Sequence, residues 1–204
     1  MLKIAATKLS QIICTRISHD LIGNIGAVSN AVELLEEGDM DFMDDIKSIL
    51  QVSSEVLSSR LKFFRMAYGL DNSNISNQDM IKEVSEKYLK SIGNQKDYPV
   101  KLNMSLQNAD SYGRMSMLGI MVMSDIIIKG GEITVSAVDK LKIRLVSPNA
   151  LSSERKMNIL SINQGTLPEN LAQYAPMICL QTIAEEKGKN IQFKETEGLE
   201  LIIE

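Results

Sequence analysis

Apolar residues recur along the first segment at Leu9, Ile13, Ile17, Leu21, Ile25, Val28, Val32 and Leu35. Steps of four and three residues gather them on one stripe of a helix. The pattern predicts a helix from about Lys3 to Glu37, broken by Gly38-Asp39. A second stripe holds Ile46, Leu50, Leu57, Leu61, Phe64 and Tyr68, with Ser53 in the gap. It predicts a helix from about Phe42 to Tyr68, stopped by Gly69. Helices of this size are on the order of 40 to 50 Å long at 1.5 Å per residue. The short connection makes them antiparallel. One hairpin cannot cover its own stripes over that length. Two completions are open: a second copy of the chain, giving a four-helix bundle across a two-fold axis, or docking onto the rest of the same chain.

The pattern changes after residues 70 to 77, a polar linker. Ser76 and Asp79 fit a capped start for a helix to about Ile92. Tyr98 to Gln107 alternates as a strand, with Val100, Leu102, Met104 and Leu106 on one face. A helix from about Tyr112 to Lys129 ends at Gly130-Gly131. Glu132 to Val138 and Leu141 to Val146 form two strands around a tight turn at Asp139-Lys140. Residues 148 to 173 suggest a short helix and loop. Pro176 is placed near the start of a helix that reaches Lys187 and stops at Gly188. Ile191 to Lys194 and Leu199 to Ile203 close the chain as a hairpin. The expectation is an α+β protein of three parts: a helical hairpin at 1–70, a linker at 71–77, and an α/β sandwich at 78–204 with helices on one face of a mixed sheet.

Composition narrows the function. The 204 residues carry a net charge of −4, which offers no general attraction to nucleic acid. There is no Trp, so a stacking platform for single-stranded nucleic acid is not expected. The longest apolar runs, such as Leu118 to Met123, are too short to span a bilayer. The N-terminus lacks a signal pattern, and the expectation is a cytoplasmic protein. Cys14 and Cys179 have no CxxC spacing, which points away from zinc, and a disulfide is not expected in a reducing compartment. Met115, Met117, Met121 and Met123 have the spacing of helical core filler.

The chain has one histidine. His19 lies in Ser18-His19-Asp20-Leu21-Ile22-Gly23-Asn24-Ile25, roughly opposite the centre of the apolar stripe at 100° per residue. Its neighbours on that side are Thr15, Arg16, Ile22, Gly23, Gly26 and Asn30. A core histidine is therefore not expected; an idle exposed one is the plain alternative. Two glycines within two turns each cost roughly 1 kcal/mol against alanine in a helix interior. Missing side chains let another surface approach the imidazole; tolerated substitution or tight helix packing would also account for them. No Ser or Cys in a glycine elbow accompanies the histidine, so a catalytic triad is not indicated.

The motif His19-Asp20-Leu21 resembles the phosphoacceptor box of sensor histidine kinases, and the element order after residue 78 resembles their ATP-binding domain. Departures accompany the likeness. Kinases commonly carry Thr or Asn four residues after the histidine and Pro five after; here stand Gly23 and Asn24. The helix Met115 to Lys129 has no asparagine to hold Mg²⁺, and Asp125, its one carboxylate, reads as helix-face decoration. Asp-x-Gly-x-Gly and Gly-x-Gly do not occur, and Gly165 is the one glycine between Val146 and Pro176. Phosphate cradling is thus unsupported.

The chain therefore resembles a degenerate kinase that keeps its phosphoacceptor and has lost ATP. The run His19 to Leu35 is similar to the opening of the ChpT-type histidine phosphotransferases, although that family usually has Pro at the place of Asn24. The resemblance implies a homodimer relaying phosphoryl groups between receiver-domain aspartates, from the receiver of a hybrid histidine kinase to response regulators. It implies His19 as phosphoacceptor, Asp20 orienting the imidazole, and no cofactor held by this chain, with Mg²⁺ supplied by the partner receiver. Arg16, Ile22, Gly23 and Gly26 would contact the partner; for Arg16 an idle solvent-facing role is equally open. The rival expectations are a non-catalytic receiver-binding scaffold and an atypical kinase.

Overall fold

The computed structural model describes residues 4–37, 42–70, 75–93 and 98–204. Two long helices come first, α1 (Ala6–Glu37) and α2 (Met43–Tyr68), packed against each other. The expected break at Gly38-Asp39, the start at Lys3 and most of the 71–77 linker lie outside the described residues. Then follow α3 (Gln78–Gly93), β1 (Val100–Leu106), α4 (Ala109–Ile126), β2 (Gly131–Ala137), β3 (Leu141–Val146), α5 (Ser153–Asn163), a 3-10 turn (Leu171–Tyr174), α6 (Ala175–Glu186), β4 (Ile191–Glu195) and β5 (Leu199–Ile203). The α+β architecture expected from the sequence is present.

The five strands form one mixed sheet in the order β1-β2-β3-β5-β4. β1 runs parallel to β2, from Val100 opposite Gly131 to Leu106 opposite Ala137; the other pairs are antiparallel. Helices cover one face. Ile133, Val135, Ile143, Leu145, Leu199 and Leu201 point into that core and are buried. Lys101, Asn103, Glu132, Thr134, Lys142 and Glu200 alternate with them on the other face, the one-sided pattern of a sheet with one wet face. α4 lies across the sheet as the central core helix, with Met115, Met117, Met121 and Met123 all buried. Gly119 lets it lie close, because a Cβ there would stand 2.1 Å from Ile143 Cδ1.

Capping explains where some boundaries differ from the pattern. α3 is capped by Asn77, whose Oδ1 accepts from the Met80 amide at 3.1 Å, rather than by Ser76. α4 starts three residues earlier than the periodicity predicts, because Asn108 caps it through Ser111 N at 3.3 Å. It ends at Ile126, where Ile127 turns extended. The segment 148–173 holds α5, capped by Ser152 through Arg155 N at 3.4 Å. The turn into β2 needs its glycines: Gly130 has φ +60°, and a Cβ on Gly131 would stand 2.8 Å from Val146 O.

Both helices of the hairpin pack on the rest of the chain, α2 against α3 and α4, α1 against α6 and the 3-10 turn. On α2 the buried face is Ile46, Ser53, Val56, Arg60, Phe63, Phe64, Met66 and Ala67; Leu61, assigned to the stripe from sequence, is exposed. Phe63 stacks on Tyr88 of α3 with ring centroids 4.0 Å apart and meets Phe64 edge-on at 6.4 Å. Phe63→Ala is expected to destabilise the chain by about 3–5 kcal/mol, seen as a lower urea midpoint; a loss under about 1 kcal/mol would show that this stack is not a joint of the fold.

The two thiols differ in surroundings. Cys14 is exposed on α1 and Cys179 is buried in α6. Burial pushes the Cys179 thiol up to about 11. Iodoacetamide is expected to alkylate Cys14 in the native chain and Cys179 only after denaturation, as intact-mass spectrometry would show; double labelling of the native chain would contradict this burial.

Candidate functional site

α1 carries His19 about 20 Å along its length from Ala6, at 1.5 Å per residue. The imidazole is 83% exposed. Its Nδ1 lies 3.2 Å from Asp20 Oδ1, close enough for an Nδ1–H to donate to the carboxylate. That arrangement leaves Nε2 as the nitrogen with the free lone pair. Ile22, Gly23 and Gly26 share the exposed face with His19. A Cβ added at Gly23 or Gly26 would meet no atom within 4 Å. Packing within the described chain therefore does not explain these glycines, and the backbone around the histidine is open to an approaching surface.

Arg16 departs from the expectation. Placed by sequence on the outer face as a partner contact, it is buried. It lies three residues before His19, about 60° around the helix, and the C-terminal part of the chain packs on that side. Its Nε donates to Asp20 Oδ2 at 2.6 Å. Its Nη2 donates to Asp125 Oδ1 at 2.7 Å, and Nη1 to Asp125 Oδ2 at 3.1 Å and to the Gln173 carbonyl at 2.5 Å. Burial opposes the charge, but Asp125 and then Asp20 outweigh it and hold the guanidinium above the ordinary arginine range. Asp125 is correspondingly not surface decoration: its side chain is 16% exposed and forked by Arg16.

Further groups close around this pair. Arg60 of α2 donates to the Asp20 carbonyl and to Ser91 Oγ at 3.3 Å; burial lowers its affinity for a proton. Arg155 of α5 donates to the Asp125 carbonyl at 2.7 Å. With Tyr88 they line a cleft of about 470 Å³ beside His19, between the hairpin and the C-terminal part. Burial, joined by Asp125, raises the Tyr88 phenol so that it stays neutral. Sequence reasoning missed Arg60, Arg155 and Gln173, which no local pattern links to residue 19. Asp125 carried a signal: it is the one carboxylate in an otherwise apolar stretch of core helix.

Among the described residues no three His, Cys, Asp or Glu side chains gather as a metal site requires. No described helix is long and apolar enough to cross a membrane.

A long helical hairpin backed by a one-sided mixed sheet is a fold found in a solved protein. The chain superposes on a structure described as a bacterial phosphotransferase with a TM-score of 0.77, covering 100% of this chain and 98% of that one at 22% identity. That likeness establishes the fold. Over 70 residues the chain is 40% identical to Protein phosphotransferase ChpT of Brucella abortus (strain 2308), covering 34% of this chain and 32% of the relative. The match thus spans about a third of the relative's length. The sequence likeness to that phosphotransferase is thus confined to one segment, and the structural likeness is one of fold. The Acinetobacter baumannii histidine kinase AdeS aligns over 91% of this chain and 95% of its own, at 13% identity and a TM-score of 0.38, too loose a fit to carry an argument. No protein-family model matches the chain.

Proposed function

We propose that the chain is a histidine phosphotransferase that relays a phosphoryl group between receiver-domain aspartates through His19. The observation that carries this reading is the exposed imidazole whose Nδ1 lies 3.2 Å from Asp20 Oδ1; with the proton on Nδ1, Nε2 keeps its lone pair. The Nε2 lone pair attacks the phosphorus of a phospho-aspartate on a docked receiver. The new N–P bond forms as the acyl-phosphate P–O bond breaks, and the aspartate carboxylate leaves. The ring keeps its Nδ1 proton and gains positive charge, which the Asp20 carboxylate stabilises. Phosphoryl transfer demands positioning and charge neutralisation more than covalent help from the protein. Mg²⁺ comes with the partner receiver, and this chain holds no cofactor of its own in the reaction. Ile22, Gly23 and Gly26 form the floor on which the receiver sits. Its donor is the receiver of a hybrid histidine kinase, its acceptors are response regulators, and its place is the cytoplasm.

The working unit is a homodimer with the hairpins joined in a four-helix bundle. In support, the hairpin leaves apolar side chains uncovered: Ile25, Val32 and Leu35 on α1, Ile49, Val52 and Leu61 on α2. Exposure of this kind on a long hairpin asks for a second apolar surface.

The test mixes the purified chain with a phosphorylated hybrid-kinase receiver from its own genome, with ATP alone as control. Acid-labile, base-stable label that comes from the receiver supports the relay. Label from ATP alone would make the chain a kinase. Receiver binding without label would make it a scaffold.

A further inference from the structure

We infer that Arg16 and Asp125 are positioning residues that fix the phosphoacceptor imidazole from the C-terminal part of the chain. The inference rests on His19 as phosphoacceptor and adds what sets the geometry of that site. A carboxylate next to a histidine on a helix surface turns freely about its last torsion and shares its oxygens with water. Asp20 does not: Oδ2 is held by Arg16 Nε at 2.6 Å, which leaves Oδ1 facing His19 Nδ1 at 3.2 Å. Arg16 is immobile in turn. Four of its five N–H groups are engaged, one on Asp20, two on Asp125 and one on the Gln173 carbonyl. The imidazole is thus tied through three side chains to α4 and the 3-10 turn.

Two features argue against a mere structural salt bridge. A buried ion pair adds little stability over well-packed apolar residues, because desolvation offsets its attraction. Its gain is a fixed geometry. Asp125 also stands in the last turn of α4, where a negative charge opposes the helix dipole. The position is made tolerable by Arg16 on its carboxylate and Arg155 on its carbonyl. Freed of Asp125, the Arg16 guanidinium could swing and chelate both oxygens of Asp20, taking Oδ1 from the imidazole. The charged and titratable groups around the assembly include Arg60 and Tyr68 from α2, Tyr88 from α3, Asp125 from α4 and Arg155 from α5. The C-terminal part, whatever else it touches, then has a role at the reacting histidine.

The presence of one histidine makes the test direct. In the 204-residue chain labelled with ¹⁵N-histidine, long-range proton–nitrogen spectra read the tautomer of His19 at a pH where the ring is neutral. The wild type is expected to hold mainly the Nδ1–H form. Asp125→Asn is expected to move the ring toward the Nε2–H form that free imidazole side chains prefer. It should also slow label uptake from a phosphorylated receiver about tenfold, the scale seen when partners orienting a ligating histidine are lost. Arg16→Lys, which keeps the charge and loses the planar fork, should do the same and serves if Asp125→Asn does not fold. A folded variant with unchanged tautomer overturns the inference, whether or not its transfer slows. So does a wild type already in the Nε2–H form. Failure of the wild type to take label from any receiver would sink the phosphotransferase reading, while the tautomer comparison would still decide whether Asp125 positions the ring.

Discussion

His19→Gln is expected to accept no detectable phosphoryl label, a loss of at least about 1,000-fold, because the neighbouring Thr15 hydroxyl, which donates to the Gln11 carbonyl, is a far weaker nucleophile than an imidazole nitrogen. Glutamine keeps size and polarity without a nucleophilic ring nitrogen. The side chain is 83% exposed, so stability should stay within about 0.5 kcal/mol of wild type. Receiver affinity should also stay near the wild-type value, since Ile22, Gly23 and Gly26 remain. Label uptake and receiver binding, measured on the same preparation, separate the relay from the scaffold. If His19→Gln still takes label, the phosphoacceptor is another residue and His19 is not the reacting group.

The second large effect concerns assembly. Ile25→Glu together with Leu61→Glu is expected to turn a dimer into a monomer. Both side chains are about half exposed in the single chain, at 48% and 52%, so the substitutions cost its own core little. In a two-fold bundle each change occurs twice. Losing four apolar burials at about 2 kcal/mol each weakens association by about 8 kcal/mol, or more than five orders of magnitude. Light scattering should give twice 22.7 kDa for the wild type and 22.7 kDa for the variant. A wild type that scatters as 22.7 kDa at micromolar concentration would refute the bundle.

The fold was largely legible in the sequence because its signals are local. Period-four apolar stripes produced α1 and α2, alternation produced β1 to β3, and glycines marked the turns at Gly69, Gly130-Gly131 and Gly188. What local signals hide is which part of a stripe another element covers. Ile12, Arg16 and Leu21 are buried while Ile25, Val32 and Leu35, on the same helix, are exposed, and nothing within α1 distinguishes the two stretches. Boundaries slipped where a side-chain cap decided them, as at Asn77 and Asn108. The histidine and its acid were legible as neighbours, since one helix carries both. The reason Asp20 turns toward His19 was not, because it depends on Asp125, which is 109 residues from Arg16 in sequence. An arginine at the rim of an amphipathic helix has the same local signature whether it meets water or a distant carboxylate.

The parallel register of β1 on β2 has a consequence for how the chain acquires its shape. Antiparallel neighbours such as β2 and β3 are joined by a three-residue turn and need close only a small loop. β1 cannot join β2 until α4 has been laid across the sheet, since the crossover contains that whole helix. Loop-closure entropy is therefore spent before the parallel contacts offset it. The β2–β3 hairpin and the α1–α2 pair can nucleate early and independently. The edge strand β1 and its helix must arrive together, and amides of β1 should gain protection from hydrogen exchange later than those of β3 during refolding.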